Sequence, residues 1–173
     1  HISTMYPGGN ALNFAVYAKL FGIDAGYLGV FGDDEAAKHV YHTAGQLRID
    51  LSHVRFYSGE NGYAKVRLEA GDRVFIGSNK GGVSKEHLLE LTEMDKEYIS
   101  GFDIVHTSIF SYVEHQLPVI REAAGFVSMD FSDRADDEAF RQCAPYLDCA
   151  CISCGEMEEE AIKDRIDQII GYG

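Results

Sequence analysis

The sequence is poor in positive charge: 15 lysines and arginines face 28 aspartates and glutamates over 173 residues, a formal net charge of -13. Such a chain repels phosphate backbones and anionic lipid surfaces, which argues against nucleic acid and membrane partners. A neutral or cationic small ligand fits better. No apolar run approaches the roughly 20 residues needed to span a bilayer. The first residues show no basic stretch leading into an apolar one, so a cytoplasmic location is expected. Cysteine is scarce, and Cys143, Cys149, Cys151 and Cys154 crowd into one short stretch. Leu147 to Ser153 reads as a buried strand with Cys149 and Cys151 on one face, where they act as small hydrophobes. Thiols two apart on a strand close a tetrahedral site poorly, and no Cys-x-x-Cys pair recurs elsewhere, so no metal site is expected. A Ser/His/Asp triad, a Cys/His pair and a Walker-type phosphate loop are also lacking.

What remains is 46% hydrophobic, enough for the core of one α/β domain. Leu12, Ala15, Val16 and Leu20 recur at helical spacing after Gly8-Gly9-Asn10, and Gly22 ends that helix. Tyr27 to Phe31 reads as a strand, Gly32 to Asp34 as a turn and Glu35 to Leu47 as a helix. The character then changes. Val54 to Tyr57, Tyr63 to Leu68 and Arg73 to Ile76 mostly alternate apolar and polar residues, separated by turns at Gly59-Glu60-Asn61-Gly62 and Ala70-Gly71-Asp72. They predict a small antiparallel meander inserted at 54–78, with one apolar face that needs a partner and a position suited to a lid.

After a helix near Ser84 to Thr92, strands at Asp103 to Ile109, Phe126 to Phe131 and Leu147 to Ser153 alternate with helices at Glu114 to Ala124, Asp137 to Tyr146 and Glu158 to Ile170. Alternation of this kind builds right-handed crossovers on a parallel sheet, with the ligand site outside the carboxyl ends of the strands. The segments 1–53 and 79–173 thus belong to one doubly wound, mainly parallel α/β domain. The opening helix lacks a preceding strand. The last carries Ile162, Ile166, Ile169 and Ile170 on an apolar face where another strand would follow, so a portion of a longer protein is expected.

Gly8, Gly9, Asn10 and Asn13 sit at a helix start, where unpaired N–H groups and two carboxamides can bind hydroxyls; an Asn cap on an ordinary helix is the plainer reading. Asn79 follows the meander and precedes Gly81-Gly82, from where it can reach a ligand. Lys80 beside it reads as a solvated loop residue, and His106 on an inner strand as a satisfied core histidine. Asp130 ends a strand, and Glu156, Glu158, Glu159 and Glu160 open the last helix, where carboxylates are favoured by the helix dipole.

Gly8-Gly9-x-x-x-Asn13 resembles the N-terminal signature of PfkB-type (ribokinase-like) carbohydrate kinases, Gly29-Val30-Phe31-Gly32-Asp33-Asp34 the family's next glycine element, and Ile49 to Val54 the lead into its β lid. Pro7 to Ala11, Asp72 to Phe75, Asp103 to His106 and Asp130 to Asp133 are most similar to the fructoselysine 6-kinases of that family. The resemblance implies an incomplete ribokinase-like sheet with an inserted antiparallel lid, and ATP and Mg2+ as cofactors. It also implies sugar binding by Gly8, Gly9, Asn10, Asn13 and Asn79, and a phosphate and magnesium region at Asp130, Arg134 and Glu160. Closing a β flap would exclude water from the reaction, and lid-to-lid contact would make a homodimer. The family's catalytic aspartate lies in a Gly-x-Gly-Asp element that does not occur here, so these residues alone are expected to turn nothing over. Ser132 stands where the family has asparagine in Asp-x-Asn-x-Arg, Met157 where it has asparagine in Asn-x-x-Glu, and Ala37 where it usually has glycine. These departures keep open a non-catalytic sugar-binding or sensor protein with the same fold.

Overall fold

The computed structural model describes residues 4–134, 136–155 and 157–173, without the side chains of residues 72 and 73. The chain folds as two compact units, His1–Leu89 and Glu90–Gly173.

In the first unit, helix α1 (Asn10–Leu20) buries Leu12 and Ala15 and stops at Gly22, whose φ of 80° is one that glycine adopts without strain. Leu12 and Ala15 pack with Ala44 and Ile49, flanked by Val16, Ala25, Tyr27, Val40, Leu47 and Leu51. Leu20, expected on this face, is exposed. Strand β1 (Val30–Phe31) leads into helix α2 (Glu35–Gln46), capped by the Asp34 carboxylate, which accepts the Ala37 N–H at 2.8 Å. Strand β2 (Arg55–Phe56) pairs with β1 in parallel, and Gly26 bridges Asp50 in the same sense. The expected three-run meander is therefore a two-stranded hairpin: its first run belongs to the parallel pairing. Phe56 stacks on Phe31 at 5.8 Å, and Tyr27 and Tyr41 complete the aromatic cluster.

The hairpin is β3 (Ala64–Glu69) and β4 (Asp72–Ser78), antiparallel with a bulge between Lys65 and Val66. Val66 faces Phe75 across the ladder, and Leu68 lies two residues on, so all three share a face. Leu68 is 73% and Phe75 71% exposed. The short helix α3 (Val83–Glu86) follows.

The second unit opens with helix α4 (Glu93–Ser100), where the sequence reading expected only a connection. A reciprocal capping box explains it: Thr92 accepts the Asp95 N–H, and the Asp95 carboxylate accepts the Thr92 N–H at 2.8 Å. Strand β5 (Val105–Ser108), a 3-10 turn (Glu114–Gln116) and helix α5 (Leu117–Ala123), strand β6 (Val127–Ser132), helix α6 (Asp137–Cys143) with a second 3-10 turn (Ala144–Tyr146), strand β7 (Cys149–Ile152) and helix α7 (Glu159–Ile170) complete it. The three strands form a parallel sheet in the order β5-β6-β7. Along β6 the period of two buries Val127, Met129 and Phe131 completely, and Phe131 meets Phe140 of α6 edge-on at 5.1 Å. The opposite face carries Ser128 and Asp130, with His106 and Cys149 in register with Ser128, and Ser108 and Cys151 in register with Asp130.

Cys149 and Cys151 correct the expectation of burial, since both are exposed on the end strand of this sheet while Cys143 of α6 is buried. Of the α7 isoleucines only Ile169 is buried, and Ile166 and Ile170 are exposed.

Candidate functional site

The opening turn leaves its backbone uncovered. Gly9 holds φ 108° and ψ 143°, a conformation essentially restricted to glycine, and it, rather than Asn10, occupies the N-cap without any side-chain cap. The first turn's N–H groups therefore receive no side-chain cap. A Cβ at Gly8 or Gly9 would meet no atom within 4 Å, so the backbone is open to close approach. Asn10 is half-buried as the first helical residue. Asn13, one turn on, has an exposed side chain and donates its backbone N–H to the Gly9 carbonyl at 2.9 Å.

Asn79 is committed to the base of the hairpin. Its carboxamide oxygen accepts the Tyr63 N–H at 3.0 Å and its amide donates to the Asn61 carbonyl at 2.8 Å. One donor and one acceptor of the carboxamide are thereby used, half of its capacity.

This hairpin base shows what the Gly29 to Asp34 element does. Asp33 accepts the Gly59 N–H at 3.0 Å and the Ser58 hydroxyl at 3.0 Å, and returns its own N–H to the Gly59 carbonyl. Those donors hold its carboxyl below the usual aspartate range. Asp34, besides capping α2, accepts the Asn61 N–H at 3.1 Å, and the Gly32 N–H donates to the Asn61 side chain at 3.2 Å. Ser84 donates to the Val30 carbonyl and Val83 to that of Glu60. A side chain at Gly32 would collide with the Gly59 carbonyl, and one at Gly82 would lie 2.9 Å from Asn79 Nδ2. The two aspartates and two asparagines thus form a clasp fastening 58–62 and 79–84 to the end of β1. The sequence pattern predicts only a turn at 32–34, and the clasp's one signal in it is two adjacent Asp following a glycine, opposite a second Gly-rich turn.

In the second unit Asp130 lies half-buried near the carboxyl end of β6. Its carboxylate accepts the Ser132 N–H at 2.7 Å, across a bulge in the β6-β7 ladder. Ser132 holds φ 52°, a left-handed conformation that residues other than glycine, asparagine and aspartate seldom adopt. Arg134 is exposed, with its guanidinium carbon 4.7 Å from the centre of the Phe110 ring. Glu160 is exposed in the first turn of α7, beside Glu159, and Met157 donates its N–H to the Cys154 carbonyl at 2.8 Å. Ala37 is fully buried in α2. Glu156 lies outside the described residues. His106 bonds Ser128 through Nδ1 at 2.8 Å, and burial pushes its pKa down, against the opposing pull of the Asp130 carboxylate.

The fold and these elements define the class. The model of the pfkB family of carbohydrate kinases matches residues 3–169, and the chain belongs to that family. It is 40% identical over 98% of its length to fructosamine kinase FrlD of Bacillus subtilis, of which it covers 60%. It is also 31% identical over 99% of its length to fructoselysine 6-kinase of Escherichia coli, of which it covers 64%. The chain thus spans about three fifths of the length of these curated relatives. Among solved structures, Arabidopsis thaliana ribokinase complexed with ribose and ATP matches with TM-score 0.74 at 18% identity, over 96% of this chain and 58% of that one. Thermotoga maritima ribokinase matches with TM-score 0.68 at 20% identity, over 97% and 58%. These likenesses establish the ribokinase-like fold. Among the described residues no helix is long and apolar enough to cross a membrane.

Proposed function

We propose that the protein this chain represents is an ATP-dependent kinase that phosphorylates fructoselysine or a related fructosamine at the sugar 6-hydroxyl, with the present residues mainly placing the acceptor. The observation that carries this reading is the 40% identity to a fructosamine kinase across nearly the whole chain. The open, uncapped turn at Gly8 and Gly9 supports it by offering N–H groups to a ligand. In this reading Gly8, Gly9, Asn10 and Asn13 bind sugar hydroxyls, and Asn79 contributes whatever capacity the clasp leaves it. An acidic chain with net charge -13 also tolerates the cationic amine of such a substrate.

Asp130, Arg134 and Glu160 are assigned to the phosphate side. Among the described residues no three His, Cys, Asp or Glu side chains gather as a metal cage. Magnesium in kinases is held by one or two carboxylates together with the substrate phosphates, so Asp130 and Glu160 fit that supporting role. ATP supplies the phosphoryl group and magnesium neutralises its charge. The chain's own contribution is orientation: it fixes the acceptor hydroxyl, and the hairpin limits water access. The general base, a Gly-x-Gly-Asp aspartate in the family, is assigned to residues outside this sequence.

The exposed face of Val66, Leu68 and Phe75 is assigned to a second copy of the protein, giving a homodimer through the hairpins. The test of the whole reading is a phosphorylation screen of the full-length protein with ATP and Mg2+ against fructoselysine, other fructosamines, fructose, ribose and nucleosides. Turnover of fructosamines supports it. Turnover of a nucleoside alone rules out the substrate class, and sugar binding without turnover of any acceptor favours the sensor alternative.

A further inference from the structure

Arg134 and Phe110 come from different loops, yet both follow carboxyl ends of neighbouring parallel strands, where α/β sheets bind ligands. The loop after β5 is fastened: Ile109 donates its N–H to the Asp130 carbonyl at 2.9 Å, Phe110 to the buried Ser108 hydroxyl at 3.1 Å, and Ser111 to the Ser108 carbonyl at 2.9 Å. The turn after β6 is fixed as well, since Arg134 donates its N–H to the Phe131 carbonyl at 3.0 Å and Asp136 donates to the Arg134 carbonyl at 3.0 Å. Two anchored backbones therefore hold an exposed phenyl ring and an exposed guanidinium against each other, 4.7 Å from ring centre to guanidinium carbon.

A bare surface phenylalanine gains little from solvent, but a ring under a guanidinium does specific work. It attracts the cation and restricts the plane of the group, and it consumes none of the five N–H donors that match phosphate oxygens. We propose that Phe110 is a positioning residue for Arg134, and that the pair forms a flat platform for the phosphate oxygens of the nucleotide or the phosphorylated product. This deepens, and rests on, the phosphate-side assignment of Arg134 above.

The test uses the full-length protein and inorganic pyrophosphate as the probe, with affinity measured by calorimetry at low salt beside the KM for ATP and kcat. Phe110→Leu should weaken pyrophosphate about two- to fivefold and raise the KM for ATP by a similar factor, the size expected for one exposed cation–π contact. Phe110→Tyr and Phe110→Trp should retain wild-type values, which loss of mere apolar packing would not predict. Arg134→Gln should lose more, and adding Phe110→Leu to it should change nothing further. Phe110→Leu with wild-type pyrophosphate affinity, or with a loss that adds in full to that of Arg134→Gln, overturns the proposal. A wild type that binds no pyrophosphate overturns it too. If the wild type phosphorylates no fructosamine while the pyrophosphate pattern holds, the platform stands and only the substrate reading falls.

Discussion

Replacing Gly32 with alanine tests the clasp at the hairpin base. The added methyl would run into the Gly59 carbonyl oxygen and lie 2.7 Å from the Asn61 nitrogen and 3.0 Å from the Glu60 carbonyl carbon. All three are backbone atoms, so no side chain can rotate away. The segment 59–61 must move, and the Gly32, Asp33 and Asn61 N–H bonds that hold it must stretch. Overpacking of this kind costs about 1–3 kcal/mol. For a chain of this size that lowers Tm by roughly 2–12 °C, at about 2–4 °C per kcal/mol. Thermal unfolding followed by circular dichroism measures the shift, and amide exchange at Asp33 and Asn61 locates it. Gly77→Ala is the control, because a Cβ there meets nothing within 4 Å and its φ is ordinary. A Gly32→Ala protein that melts with the wild type and keeps its amide protection would refute the reasoning.

Three further outcomes follow from the same structure. The Asp33 carboxyl titrates below its ordinary value because the Gly59 N–H and Ser58 hydroxyl favour its charged form. Its stabilisation is therefore complete above the unfolded pKa and is lost as pH falls through the folded one, so Gly59 amide protection should drop below about pH 4, and Asp33→Asn should remove that dependence. Cys143, whose thiol burial pushes up to about 12, should stay unlabelled by iodoacetamide in the native protein at pH 8, as peptide mass spectrometry would show. Asn13→Ala should weaken sugar binding by calorimetry about two- to tenfold, the worth of one hydrogen bond, with little change in Tm because the side chain is exposed.

The second unit was legible because its strands and helices carry strong periodicity. Val127, Met129 and Phe131 alternate with polar residues, and each crossover helix has an apolar stripe. Helix α4 escaped because its start is written in a local Thr92/Asp95 exchange rather than in hydrophobic spacing. The burial of Cys149 and Cys151 was misjudged because strand period fixes which residues share a face, not whether that face is covered. In the first unit the short run at Arg55 and Phe56 looked like the meander that follows it. Only long-range pairing with β1 tells them apart, and two residues carry too little pattern to reveal it. The paired glycines at 8 and 9 stand out in the sequence, and the Gly9 φ of 108° is a backbone reason for glycine at that position. The clasp was not, because its aspartates and asparagines meet only after 58–62 and 79–84 fold back onto the end of β1.

Everything proposed for this chain rests on where the acceptor sugar sits. A crystal structure of the full-length protein with fructoselysine measures it directly: the sugar hydroxyls should lie within hydrogen-bond distance of the Gly8–Asn10 backbone and of the Asn13 carboxamide. A sugar bound elsewhere, with that opening turn left in solvent or packed against protein, would contradict it.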